Sequence, residues 1–118
     1  MADFQARDLV YYRPDRRPLL ARLYQPAGTG PFPALVEVHG GAWVGGDRLN
    51  NVSIAEYLAA AGVVVFSLDF RIPPEKGYPD TVADINFGIR WFKAHAADFS
   101  TRAELVGWGR HRAGIFCN

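Results

Sequence analysis

Between Val36 and Asp47 the sequence V-E-V-H-G-G-A-W-V-G-G-D passes from a short apolar run directly into glycine, and few architectures accommodate that change. Ala34 to Val38, polar only at Glu37, has the length and continuity of a parallel strand covered on both faces. Gly40, Gly41, Gly45 and Gly46 then let the backbone bend where side chains would clash. A loop of this kind at a strand end can present rigid N–H groups to an anion, and in acyl transfer that anion is the tetrahedral oxyanion. A tight strand-to-helix turn with no chemical role uses similar residues, so the rest of the chain has to decide between the two.

The remaining elements follow an α/β order. Asp8 to Tyr12 and Leu19 to Tyr24 are extended runs separated by the polar, proline-marked segment Arg13 to Pro18, which suits an antiparallel hairpin at a sheet edge. After the glycine segment, Asn50, Asn51 or Ser53 can cap a helix running to about Ala61, with Ile54, Tyr57, Leu58 and Ala61 at helical spacing and Gly62 ending it. Val63 to Leu68 is a second continuous β-branched run. Prolines 73, 74 and 79 with Gly77 forbid regular structure across 69–79. Asp80 and Thr81, with Asp84 placed as in a capping box, then open a helix whose apolar stripe is Val82, Ile85, Ile89, Phe92 and Ala96. Glu104 to Trp108 begins a further strand. The pattern predicts a mostly parallel sheet with a leading antiparallel hairpin, right-handed crossovers and helices on both faces.

Composition removes several function classes. At 118 residues, with 49% hydrophobic and 14% aromatic content, the chain is one globular domain at most. A net charge of +1, from 13 basic and 12 acidic residues interspersed, gives no field for nucleic acid or an anionic membrane. No segment approaches the roughly 20 apolar residues of a membrane span, and Met1 to Val10 lacks a signal-peptide core, so a cytoplasmic location is expected. The lone Cys117 excludes a disulfide framework. His39, His95 and His111 fall on unrelated elements without a zinc spacing, and neither G-x-G-x-x-G nor a P-loop is present, so neither metal nor cofactor is expected.

Individual residues have plain readings. His39 suits holding the loop by hydrogen bonds better than acting as a general base, Trp43 suits packing at a pocket edge, and Asp47 with Arg48 suits a loop-anchoring pair. Asp69-Phe70-Arg71 follows a strand end, where sites lie in open parallel sheets, but its simplest role is a buried ion pair or loop anchor, with Arg71 bonding carbonyls of the proline-rich crossing or the glycine loop. Asp84 reads as a helix cap, and Trp91 and His95 as the solvent side or last turn of their helix.

Taken in order, these motifs resemble one family, the hormone-sensitive-lipase-like carboxylesterases of the α/β-hydrolase superfamily. Members carry H-G-G-G or H-G-G-x-W after the third strand, here His39 to Trp43; a D-Y-R-L-A-P-E-like segment after the fourth, here Asp69 to Glu75; then Tyr78-Pro79 through Asp84 and Arg90-Trp91-Phe92. The similarity spans roughly Leu19 to Gly109. It implies the N-terminal half of an α/β-hydrolase fold acting on a small-molecule ester. It also implies oxyanion donors at Gly41 and Ala42 with Gly40 shaping the turn, and loop support from His39, Trp43, Asp69 and Arg71.

The family then requires the nucleophile elbow G-x-S-x-G. Here the text reads Gly109-Arg110-His111-Arg112-Ala113-Gly114, with His111 in the nucleophile's place. No triad member is present, so the chain is expected to be an incomplete domain, family-like over about 1–109 with an aberrant tail at 110–118, inactive as written. Read one base earlier from Gly109, codons for Arg110 to Asn118 can encode S-S-S-G-G-H-L-L-Q, an ideal elbow, which suggests a shifted frame. The outer edge of the last strand is expected to be uncovered and the fragment prone to aggregate. Two alternatives share the glycine loop: a non-catalytic receptor for small ligands, and an arylformamidase or dipeptidyl-type peptidase.

Overall fold

The computed structural model describes residues 3–38, 48–49, 52–71, 79–112 and 115–117, with Asp15 and positions from 110 onward described by backbone alone. Six strands, β1 (Phe4–Tyr12), β2 (Leu19–Pro26), β3 (Ala34–Val38), β4 (Val64–Leu68), β5 (Val106–Arg112) and β6 (Ile115–Cys117), form one sheet in the order β1-β2-β4-β3-β5-β6. The hairpin β1-β2 is antiparallel, β2 pairs antiparallel with β4, and β3 lies parallel between β4 and β5. The expected α/β sheet with a leading hairpin therefore forms, and β3 and β4 occupy its centre because their apolar runs tolerate cover on both faces.

Helix α1 (Val52–Ala60) crosses from β3 to β4 and helix α2 (Asp80–Ala94) from β4 to β5. These crossovers step in opposite directions along the sheet, so right-handedness places the helices on opposite faces. On the α2 face Tyr11, Leu19, Leu23, Val36, Val38, Phe66, Leu68 and Phe92 form the main core, while Tyr24, Ala55, Ala59 and Val65 form a smaller one under α1. Phe66 stacks on Phe92 at 4.7 Å and on Trp91 at 5.7 Å between ring centroids, geometry that adds to area burial.

Several elements depart from the sequence reading. The buried side of α1 is Ala55 and Ala59, whereas Ile54 and Tyr57 are exposed; the alanines permit close approach to Tyr24 and Val65. The expected stripe of α2 meets the core through Ile85, Ile89 and Phe92, with Ala96 buried just beyond the helix, but Val82 is exposed and the fully buried side also takes in Thr81, Asp84 and Gly88. Asp84 is no cap: α2 starts after Pro79 without a side-chain capping bond. Trp91 and His95 do fall at the last turn and C-cap of α2, but not on a solvent side: Trp91 is half-buried against Phe66, and His95 stacks on it at 4.1 Å, bonding the Trp91 carbonyl through Nδ1 at 2.8 Å. The last long strand begins at Val106 rather than Glu104 and runs to Arg112. Its outer edge is not wholly bare, because β6 pairs antiparallel with Arg110 to Arg112.

Candidate functional site

The C-terminal ends of the parallel strands β3, β4 and β5 meet at Val38, whose register partners are Leu68 and Arg110. Open parallel sheets place their sites at such an edge. The glycine segment leaves β3 there; His39, Gly40, Gly41, Ala42, Trp43 and Asp47 lie outside the described residues, as do Asn50 and Asn51. What the structure does describe is how the far end of that segment is held.

Arg48 is clamped between two carboxylates. Its backbone N–H and Nη1 donate to Asp69 at 2.7 and 3.0 Å, and its Nε and Nη2 donate to Asp8 at 3.0 and 3.1 Å. Asp69 sits immediately after β4, where its own N–H bonds the Leu20 carbonyl and its carbonyl accepts the Tyr11 hydroxyl. Asp8 also accepts from Arg22, its register partner on β2, at 3.3 Å. The guanidinium of Arg48 holds the Asp8 carboxyl below the usual carboxylate range, and the same bond raises Arg48. Burial, reinforced by the charges of Asp84 and Asp69, pushes the Tyr11 hydroxyl far above its ordinary range, so it stays a neutral donor.

Arg71 forms the second anchor. Its Nε and Nη2 meet the two oxygens of Asp84 at 2.9 and 2.8 Å, its backbone N–H adds a third bond, and Thr81 Oγ1 donates to its carbonyl at 2.7 Å. Asp84 is fully buried and Arg71 nearly so. This bidentate geometry locks the exit of β4 to the first turns of α2 across the proline-rich crossing. The ion-pair reading of Asp69 and Arg71 thus holds, with Arg48 and Asp84 as partners, while the carbonyls expected for Arg71 belong to segments outside the described residues.

A polar row runs under the same edge: Asp8, Arg22, Ser67 and Glu37 are successive register partners across β1, β2, β4 and β3, and Gly109 continues it on β5. Glu37 and Ser67 are buried. Glu37 alternates with Val36 and Val38, so it faces α1 while they face α2. Neither Asp8 nor this row stood out in the sequence; the one available signal was a lone glutamate inside an otherwise apolar strand. His111 continues β5 in extended pairing with Phe116. Among the described residues no cluster of three His, Cys, Asp or Glu side chains gathers to hold a metal, and no helix is long and apolar enough to cross a membrane.

Comparison with known proteins agrees with this layout. The chain is 38% identical over 87 residues to Esterase LipC of Mycobacterium tuberculosis, covering 73% of this chain and 22% of LipC. It is 29% identical over 94 residues to an acetyl esterase of Salmonella paratyphi B, covering 79% and 29%. Among solved structures, a thermophilic esterase of Thermogutta terrifontis, Est2, superposes with a TM-score of 0.84 at 29% identity, covering 92% of this chain and 41% of that one. A hyperthermophilic esterase of the archaeon Pyrobaculum calidifontis gives 0.83 at 27% identity, covering 93% and 35%. The chain spans about a quarter of the length of the curated relatives it matches. The family model BD-FAE matches residues 22–114, and with sheet order, helices and relatives in agreement the chain belongs to that family, as an N-terminal portion of the α/β-hydrolase fold like that of hormone-sensitive-lipase-like esterases.

Proposed function

We propose that the chain is the oxyanion-loop portion of a serine carboxylic-ester hydrolase acting on small-molecule esters, and that it is inactive as written. The observation carrying this reading is what flanks segment 39–47: Val38 ends the central parallel strand β3, and Arg48 is held by Asp69 at the end of neighbouring β4. In the proposed mechanism the amides of Gly41 and Ala42, with Gly40 shaping the bend, donate to the oxygen of a carbonyl under attack. They are worth most when oriented before charge develops. His39 and Trp43 frame the loop, while Asp69 and Arg71 keep its surroundings rigid through Arg48 and Asp84. No hydroxyl stands at position 111 to form the acyl-enzyme, and on this reading none of the chain's acids and histidines serves as a triad's acid or base.

The purified chain is expected to hydrolyse p-nitrophenyl acetate at least about 10⁴-fold more slowly than the Thermogutta terrifontis esterase assayed alongside, with no acyl-enzyme burst. A burst would overturn the reading of inactivity. Sequencing the gene across the codon for Gly109 tests the origin of His111: an open frame one base earlier encoding G-S-S-S-G-G-H supports a shifted frame, and a closed one ends that idea.

A further inference from the structure

Trp108 is 48% exposed, although Val36, its register partner on β3, is wholly buried in the main core of the same sheet face. The antiparallel β6 does not cover it, because its pairing is with Arg110 to Arg112 only. Between Trp108 and α2 runs an open groove of about 480 Å³, within the roughly 300–1,000 Å³ of small-molecule sites. Val38 and Trp108 line it from the sheet and Val82, Ile85 and Ile89 from the helix. Its polar lining is Asn86, Arg90 and Lys93, and among the described residues no acid lines it.

Charge decides what fits this groove. Arg90 and Lys93, three residues apart on α2, are surface neighbours with Cβ atoms roughly 5–6 Å apart, and among the described residues neither is ion-paired. A second copy docking face to face through the groove would bring two such cation pairs together, which is repulsive. An anion set between them is attracted by both, and a carboxylate takes the guanidinium of Arg90 with charge-assisted bonds. From Arg90 back to Val82 the helix rises about 12 Å, past the apolar wall of Ile89 and Ile85. We propose that the groove is a binding site for a single-chain carboxylate amphiphile, a medium-chain fatty acid, with its head between Arg90 and Lys93 and its alkyl chain on Val38, Val82, Ile85, Ile89 and Trp108. Burying the chain against apolar side chains supplies affinity, and the two cations select the sign of the head. The site is separate from the anchors around Asp69 and Arg71, and it stands whether or not the chain takes part in ester cleavage.

The test titrates the whole chain with decanoate, and in parallel with decyltrimethylammonium and acetate, all below micelle formation, following tryptophan emission. Decanoate is expected to shift the emission to the blue and to bind at least about tenfold more tightly than decyltrimethylammonium, the effect of exchanging attraction for repulsion at two exposed cations. Acetate, which has no chain to bury, is expected to leave the emission unchanged. The shift is expected to be lost in Trp108→Phe, which identifies the reporter among the three tryptophans. Arg90→Glu with Lys93→Glu, both at exposed positions, is expected to reverse the preference, the milder pair Arg90→Gln with Lys93→Gln to abolish it, and Tyr57→Glu on α1 to leave it intact. Equal binding of the two amphiphiles, no binding of decanoate, a shift that survives Trp108→Phe, response only to phosphatidylglycerol vesicles, or self-association of the chain through this face would each overturn the proposal.

Discussion

Arg71 and Asp84 show how one pair can hold an edge together. A carboxylate that is fully buried costs several kcal/mol to desolvate, and here that cost is offset only because three N–H donors converge on it. Removing the charge from one side leaves the other poorly compensated. Asp84→Asn is therefore expected to lower unfolding free energy by about 3–5 kcal/mol, measured by urea denaturation. Replacing both partners, Arg71→Met with Asp84→Leu, is expected to cost less than the single change, because no buried charge is then stranded. The loss from Asp84→Asn is large against the roughly 5–15 kcal/mol that holds a domain of this size folded.

At the level of elements, α2 meets the sheet through a gap in its own surface. A Cβ on Gly88 would come within 2.8 Å of Leu68 Cδ1 and 3.1 Å of Tyr11 Cε2, both side chains of the main core. Gly88→Ala improves helix propensity by about 1 kcal/mol, but crowding a packed core costs about 1–3 kcal/mol. A net loss of about 1 kcal/mol is expected, visible as a lower thermal midpoint. The same helix marks what sequence could and could not disclose. The strands at Ala34 to Val38 and Val64 to Leu68 were legible because a run apolar at nearly every position has few alternatives, and the hairpin was legible from Pro14 and Pro18. The buried faces of the helices were legible only in part: α2 packs through the expected Ile85, Ile89 and Phe92 but also buries a glycine and an aspartate, and α1 buries two alanines, residues that no hydrophobic pattern singles out. Asp84 belongs to the core only once Arg71 is beside it. The site divides likewise. Asp69 and Arg71 read correctly as ion-paired anchors from their position after a strand, but pairing is a property of the folded chain, so Asp8 as a partner of Arg48 was invisible.

On the scale of the molecule, the Asp8–Arg48–Asp69 clamp joins the edge hairpin, the far end of the glycine segment and the end of β4. Its acid response follows from the depressed Asp8 carboxyl. A carboxylate whose folded value lies below its unfolded one contributes stability that is present above the unfolded value and lost as pH falls through the folded one. Wild type is expected to exceed Asp8→Asn by about 0.5–1 kcal/mol at about pH 7, a modest difference because the pair is partly solvent-screened. The gap is expected to vanish below about pH 3, with urea midpoints across pH as the measurement. The strand order carries a consequence of another kind, for synthesis on the ribosome. β3 lies between β4 and β5, yet β5 is translated roughly 70 residues after β3 ends. At about 5–20 residues per second, the nascent chain keeps one edge of its central strand unpaired for about 3 to 14 s, an interval in which a chaperone able to shield an open strand would have its greatest effect on yield.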